Sequence, residues 1–358
     1  MRIGITYNLK SEVDNIQPQH LLVDDAFEEF DTDETIDNIQ AVLEKSGHSV
    51  IRLGSGRLAI ERLLSQRPDF VFNISEGYSG RNREAQVPAL LEMLDIPYSG
   101  SDVLTLALTL DKAASKKILY YSGIKSPNYC VVNTPQDIDI ADAQLRYPLF
   151  VKPAWEGSSK GIQHNSRVDE KEELKAVVDY LLKDYAGQPI LVEEYIAGRE
   201  FTIGVLGNEN PYILGIMEIS PRVKDEKDFF YSREVKRDWQ NRVIYHCPPK
   251  IDAFLKKDLE RVAKDAFKAF ECRDVARVDI RVDKLGNAYF IEINPLPGLS
   301  PDYADLVIMA RHMGWTHERL IITIFNHALS RYEISTLSPR KRGEGQGEGR
   351  KQKIPPLS

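Results

Sequence analysis

The chain has 358 residues, 42% of them hydrophobic, with 47 lysines and arginines against 54 aspartates and glutamates and a formal net charge of −7. That length predicts two or three domains with real cores, and the acidic balance excludes the basic field that a nucleic-acid backbone requires. Cys130, Cys247 and Cys272 lie far apart without CxxC spacing and read as reduced thiols of a cytoplasmic protein, not as a disulfide or zinc framework.

The chain opens on a strand-like run, Arg2 to Tyr7, with no export signal before it. No apolar stretch is long enough to span a bilayer, so no membrane association is expected. To about residue 110, apolar runs at Ile3 to Tyr7, Ser49 to Leu53 and Asp69 to Ile74 alternate with helical patterns, the signature of an α/β fold with a mostly parallel sheet. The helix over Thr35 to Ser46 carries Ile36, Ile39, Val42 and Leu43 on one side and stops at Gly47, a left-handed cap. The stretch SEGYSGRNRE, residues 75 to 84, follows a strand and precedes a helix, where α/β sheets place ligand loops. Glu76, Arg83 and Glu84 are therefore substrate candidates, against a merely polar connection.

Around Asp111 the pattern ALTLDKAASKKILYYSG predicts a helix closing at Gly123, followed by strands at Tyr129 to Val132 and Pro148 to Lys152. In LFVKPAWEGSSKGI, Lys152 on an apolar strand needs an anion. The small residues Gly157, Ser158, Ser159 and Gly161 let backbone N–H groups approach phosphate oxygens; the alternative is a tight turn. The strand ILVEEYIAGREF interrupts apolar residues with Glu193, Glu194 and Glu200, acceptors suited to an adenine amino group and a ribose, though a polar strand edge reads the same way. Residues 224 to 242 mix Arg233, Lys236, Arg237 and Arg242 with acids and aromatics: a lid closing over phosphates, or a charged loop. A helix from Ile251 to Phe270 presents Ile251, Phe254, Leu255, Leu259, Val262, Ala266, Phe267 and Phe270 as one core stripe.

The segment ARVDIRVDKLGNAYFIEINPLPGLSP is the most informative. Side chains alternate along strands, so Arg277 shares a face with Asp279, and Glu292 with Asn294. A hairpin looping over Lys284 to Asn287 sets Asp279 opposite Glu292 and Arg277 opposite Asn294. Facing carboxylates repel unless a cation lies between them, and two acids with an amide suit magnesium or manganese. The alternative is a solvated strand face. From about Ser335 the chain is rich in Gly, Pro, Lys and Arg and cannot bury enough surface to fold.

Taken in order, IPYSGSDVLTLALTLDKAASK, VKPAWEGSSKGI, VEEYIAGREFTIGVLG, ARVDIRVD and FIEINPLPGLSP resemble the ATP-grasp ligases, and among them the D-alanine–D-alanine ligase group, over about residues 96 to 330. The resemblance implies three α/β domains, placed at residues 1–110, 111–205 and 206–334, before a disordered tail at 335–358. ATP would lie between the second and third. It implies phosphate contacts from Lys112, Lys152, Gly157, Ser158 and Ser159, and adenosine contacts from Glu193, Glu194, Ile196 and Glu200. It further implies Asp279, Glu292 and Asn294 as magnesium ligands, Arg277 and the Gly298 backbone at the oxyanion, and Lys236 at the terminal phosphate.

Three departures fall on the amino-acid side. The glycine-rich N-terminal loop that carries a glutamate in this group reads TYNLKSEVDNIQPQH here, a lid lysine–tyrosine pair reads Lys236–Arg237, and a carboxylate-binding serine falls at Tyr303. The implied protein is an ADP-forming carboxylate–amine ligase using ATP and magnesium, with a substrate other than alanine. Arg83, Arg237 and Tyr303 suggest that substrate to be anionic or bulkier. Alternatives are an ATP-binding protein that has lost ligation, a true D-alanine–D-alanine ligase, or an enzyme that phosphorylates or carboxylates. The resemblance favours a homodimer with small-molecule acid and amine as its other partners.

Overall fold

The computed structural model describes residues 1–15, 25, 27–185, 187–223 and 229–332. The tail expected at 335–358 and part of the expected lid, 224–228, lie outside the described residues.

The first sheet is parallel, in the order β2-β1-β3, from β1 (Arg2–Thr6), β2 (Ser49–Gly54) and β3 (Phe70–Asn73). Helix α1 (Asp33–Lys45) buries Ile36, Ile39, Val42 and Leu43 as the stripe predicts, and Thr32 caps it by accepting from the Thr35 N–H. Next come α2 (Gly56–Gln66), α3 (Gln86–Met93), α4 (Val103–Leu110) and α5 (Lys112–Tyr121). The single helix expected across Asp111 is thus two. Asp111 takes an extended backbone and its carboxylate accepts from the Ala114 N–H at 2.9 Å, starting a new helix with Lys112 in its first turn.

The second sheet is antiparallel, ordered β4-β7-β5-β6. Its strands are β4 (Tyr129–Val132), β5 (Leu149–Pro153), β6 (Arg167–Val168) and β7 (Ile190–Glu194), backed by α6 (Ile138–Gln144) and α7 (Lys171–Asp184). The third sheet, also antiparallel, is ordered β10-β9-β8-β11-β12. It is built from β8 (Gly198–Gly207), β9 (Tyr212–Pro221), β10 (Val243–His246), β11 (Asp274–Asp283) and β12 (Ala288–Asn294). A break at 205 therefore falls inside β8, which pairs with β9 and β11 along its length and belongs wholly to the third sheet.

Short helices α8 (Arg233–Arg237) and α9 (Trp239–Arg242) lie between β9 and β10, and α10 (Ala253–Ala269) packs Leu255, Leu259, Val262, Ala266 and Phe267 on the third sheet. Phe254, expected in that stripe, is 80% exposed because it sits one position, about 100°, away from Leu255. Helices α11 (Asp305–His312) and α12 (His317–Ser330) join the apolar core under the first sheet, so the N-terminal sheet and the last described helices share a core. Among the described residues no helix is long and apolar enough to cross a membrane.

The β11–β12 hairpin has the expected partners, Asp279 opposite Glu292 and Arg277 opposite Asn294, but reaches them through a bulge. Near the turn Ile280 faces Phe290, one residue out of the simple register, and the extra residue Ile291 restores it. Phe290 and Glu292 have the same parity, so strict alternation would have sent Glu292 into the core beside Phe290; the bulge turns it to the other face.

Candidate active site

An open cavity of about 970 Å³ is lined by residues of the second and third sheets. Every residue expected to handle nucleotide or metal lines it except Gly157 and Asn294; these line an adjoining cavity of about 400 Å³ with Lys112, Ser158 and Glu292. A third cavity of about 1290 Å³ shares Ser158, Lys236, Arg277 and Asp305 with the first, and takes in Glu76, Arg237, Asn294, Gly298 and Tyr303.

The strands β5 and β7 run antiparallel, and Lys152 of one lies 2.7 Å from Glu193 of the other. The anion that Lys152 needed is therefore partly internal. Glu193 also meets the buried Lys116 at 2.5 Å, and burial, which alone would raise its carboxyl, is outweighed by the two lysines, which hold it at about 2. Lys116 was not singled out in the sequence. It lies one turn beyond Lys112 on α5, on the same face. Lys112 itself donates to the Glu156 carbonyl and faces Glu292 at 3.4 Å. The carboxylate of Glu194 accepts from the Asn128 amide and the Arg146 N–H.

The phosphate-loop candidate is not an ordinary tight turn. Ser158 and Ser159 both adopt left-handed backbone, with φ of 48° and 60°, followed by Lys160 and by Gly161 at 72°. Consecutive residues of this kind aim N–H groups into a concavity suited to anions. At Gly161 a Cβ would approach Pro153 Cγ to 2.4 Å, so glycine is required there on both counts.

On β11, alternation puts Arg277, Asp279 and Arg281 on one face, and all three line the cavity. Arg277 bonds Asp279 at 2.9 Å and lies 3.8 Å from both Glu292 and Asp305; Asp279 also accepts from Thr202 at 2.6 Å. Arg281, which parity could have revealed, binds Glu200 at 2.8 Å and the Ile196 carbonyl at 2.7 Å, fixing the strand edge. Burial raises the Asp279 carboxyl, with Arg277 opposing and Glu292 adding to the rise. For Glu292, burial is outweighed by Lys112, Lys152 and Arg277, which hold it at about 2. One negative charge is favoured between these strands and a second is disfavoured, the condition that a cation relieves.

Arg83 does not reach substrate space. It lines none of the three cavities, being buried against Glu29 at 2.9 Å and the Trp155 carbonyl at 2.6 Å. Glu29, invisible to sequence motifs, also meets Lys160 at 2.8 Å and accepts from the Gly157 N–H at 3.0 Å, tying the first sheet's loops to the phosphate loop. Arg237 is likewise engaged, its Nε lying 2.7 Å from Glu28. Arg83 and Arg237, expected to face an anionic substrate, are thus each paired with a glutamate of the chain.

Burial pushes the Glu84 carboxyl up from 4.5 to about 7, Arg83 opposing and Glu29 reinforcing. The folded protein holds this proton more tightly than the unfolded chain, so the associated stability is complete below about pH 4.5 and is lost as pH rises through about 7. Glu84→Gln is expected to raise the thermal midpoint at about pH 8 by roughly 5 °C and to change it little at about pH 4.5. Scanning calorimetry of both proteins at the two pH values measures the difference; equal shifts at both would contradict the buried, uncompensated carboxylate.

Two antiparallel sheets lining one cavity, with a parallel-sheet layer against them, define the ATP-grasp fold. The family model described as the D-ala D-ala ligase C-terminus matches residues 118–326. Uncharacterized protein y4sG of Sinorhizobium fredii is 34% identical over 83% of this chain and 88% of its own length. A D-alanine–D-alanine ligase of Pelotomaculum thermopropionicum is 33% identical over 72% of this chain and 80% of its own. Among solved structures, the D-alanine–D-alanine ligase of Bacillus anthracis is 25% identical, with a TM-score of 0.69, covering 92% of this chain and 98% of that one. The chain belongs to the D-alanine–D-alanine ligase family of ATP-grasp ligases.

Proposed function

We propose that the protein is an ADP-forming carboxylate–amine ligase whose substrates differ from two alanines. The observation that carries this reading is the meeting of Lys112, Lys152, Arg277 and the facing acids Asp279 and Glu292 in one cavity that opens into a second, large one. A carboxylate oxygen attacks the γ-phosphorus of ATP, the bond from that phosphorus to ADP breaks, and an acyl phosphate remains. The amine nitrogen then attacks the acyl carbon and gives up a proton, and the tetrahedral adduct collapses to the amide as its C–O bond to phosphate breaks and inorganic phosphate leaves with the electron pair.

Each residue's part follows from its position. Lys112, Lys152 and the N–H groups around Ser158 and Ser159 neutralise the phosphates, and Lys236 reaches them from the lid side. Glu193, 2.7 Å from the Lys152 ammonium, holds it in place. Arg277, which lines both large cavities, and the Gly298 N–H in the larger of them stabilise the oxyanion of the tetrahedral intermediate. The donor set of Asp279, Glu292 and Asn294 is all oxygen and suits magnesium or manganese, which would shield the phosphates. Glu76, Arg237 and Tyr303 lie in the second cavity, where acid and amine would meet.

The expected result is ADP release from MgATP that requires both an amino-acid pool and an amine, with an amide product by mass spectrometry. ATP binding without amine-dependent ADP would favour a binding protein that has lost ligation. ADP without amide would favour phosphorylation or carboxylation. Full activity with D-alanine alone would make it a D-alanine–D-alanine ligase.

A further inference from the structure

One carboxylate oxygen from each of Glu29, Glu76 and Glu84 lies within 4.8 Å of the others. Glu29 is satisfied by Arg83, Lys160 and the Gly157 N–H. Glu84 is not. It is only 7% exposed, it lines the cavity of about 400 Å³ beside Lys112 and Ser158, and no hydrogen bond or ion pair reaches its carboxylate among the described residues. Glu76 likewise has none, and it lines both this cavity and the larger one. Further round the larger cavity, Asp31 presents a third carboxylate without a bonded partner among the described residues. Burial pushes all three carboxyls up, and the cations that oppose the rise, Lys10 at Asp31 and Arg83 at Glu76 and Glu84, do not reverse it.

Arg83 and Arg237 offer no relief, since Glu29 and Glu28 already hold them. The small cavity also carries Lys112 and Ser158, the phosphate-binding groups of the ligase reading, beside which a carboxylate that attacks the γ-phosphorus must lie. Resting on that reading, we propose that the acid substrate is a basic amino acid, its carboxylate at the Lys112–Ser158 end, its α-ammonium between Glu76 and Glu84, and its side-chain cation at Asp31. The small cavity presents acids and a cation together, the two charge types that an amino acid's ammonium and carboxylate match. The larger cavity then receives the side chain, and the second cation reaches Asp31, which Lys10 opposes only in part. A divalent ion suits the cluster less well, because Arg83 and Lys160 already stand against Glu29.

The test is titration calorimetry on the full chain with magnesium and a non-hydrolysable ATP analogue, comparing dl-lysine with dl-norleucine, its uncharged counterpart. Lysine is expected to bind about tenfold more tightly or better, Asp31→Asn to bring the ratio toward one, and Glu84→Gln to weaken lysine about tenfold. Norleucine binding within about twofold of lysine, no lysine binding, or an Asp31→Asn protein with an unchanged ratio would overturn the proposal. Hydroxylamine trapping with MgATP separates the two readings. Tight lysine binding without hydroxamate or ADP sinks the ligase reading alone, whereas hydroxamate from alanine at the kcat/KM of lysine sinks the basic-substrate reading alone.

Discussion

Glu292→Gln is expected to lower ATP-dependent amide formation about 10³-fold while shifting the thermal midpoint by no more than about 2 °C. The amide keeps the shape of the carboxylate on a bulged strand, so the register that brings Asp279 opposite residue 292 is undisturbed. What changes is charge. Glu292 lies 3.4 Å from Lys112 and 3.8 Å from Arg277, and its ionised form is held strongly by these cations and Lys152. Neutralising it leaves a wall rich in positive charge that still attracts nucleotide phosphates, but one acid short of gripping a divalent ion. The loss should therefore appear in kcat far more than in nucleotide affinity. Steady-state assays at saturating magnesium, paired with nucleotide titrations, read the split; more than about a tenth of the normal turnover would remove Glu292 from the metal-binding role proposed for it.

Hydrophobic periodicity carried the scaffold well. The stripe on α1, the parallel strands β1 to β3 and the apolar face of α10 are local patterns, and local patterns are what alternation and helical spacing encode. The hairpin shows how such reasoning can reach the correct partners by an incomplete route, since the facing of Asp279 and Glu292 depends on the Ile291 bulge that no turn rule supplied. The break at Asp111 was legible in principle, as an aspartate three residues before an N–H it can cap. Arg281 was legible by parity with Arg277 and Asp279. Glu29 was not, because its meaning comes from Arg83, Lys160 and Gly157, residues distant in sequence that only the folded chain gathers. The same holds for the neutralised arginines: a charge reads as ligand-seeking in sequence until the structure reveals the acid already beside it.

Arg331→Ala is expected to be the most destabilising single change among the exposed-side arginines, at about 3–5 kcal/mol, lowering the unfolding midpoint by roughly 10 °C. Its guanidinium grips Asp274 with two bonds, of 3.0 and 2.8 Å, and donates to the carbonyls of Tyr98 and Gly100 at 2.7 and 3.1 Å. Asp274 is 0% exposed, opens β11 with a left-handed φ of 66°, and accepts from the Gly100 N–H at 2.8 Å. One ion pair thus ties the end of α12 to the third sheet and to the loop after the first. Truncating the arginine strands a buried carboxylate and frees two carbonyls, so the cost exceeds the value of the pair itself. Arg331→Lys should recover part of the loss, keeping the charge without the two-pronged geometry. Arg331→Met combined with Asp274→Asn should cost less than the sum of Arg331→Met and Asp274→Asn made singly, because it removes the stranded charge. Thermal and urea unfolding of the unsubstituted protein, the Arg331 variants, Asp274→Asn and the double variant tests the argument, and additive costs in the double variant would refute it.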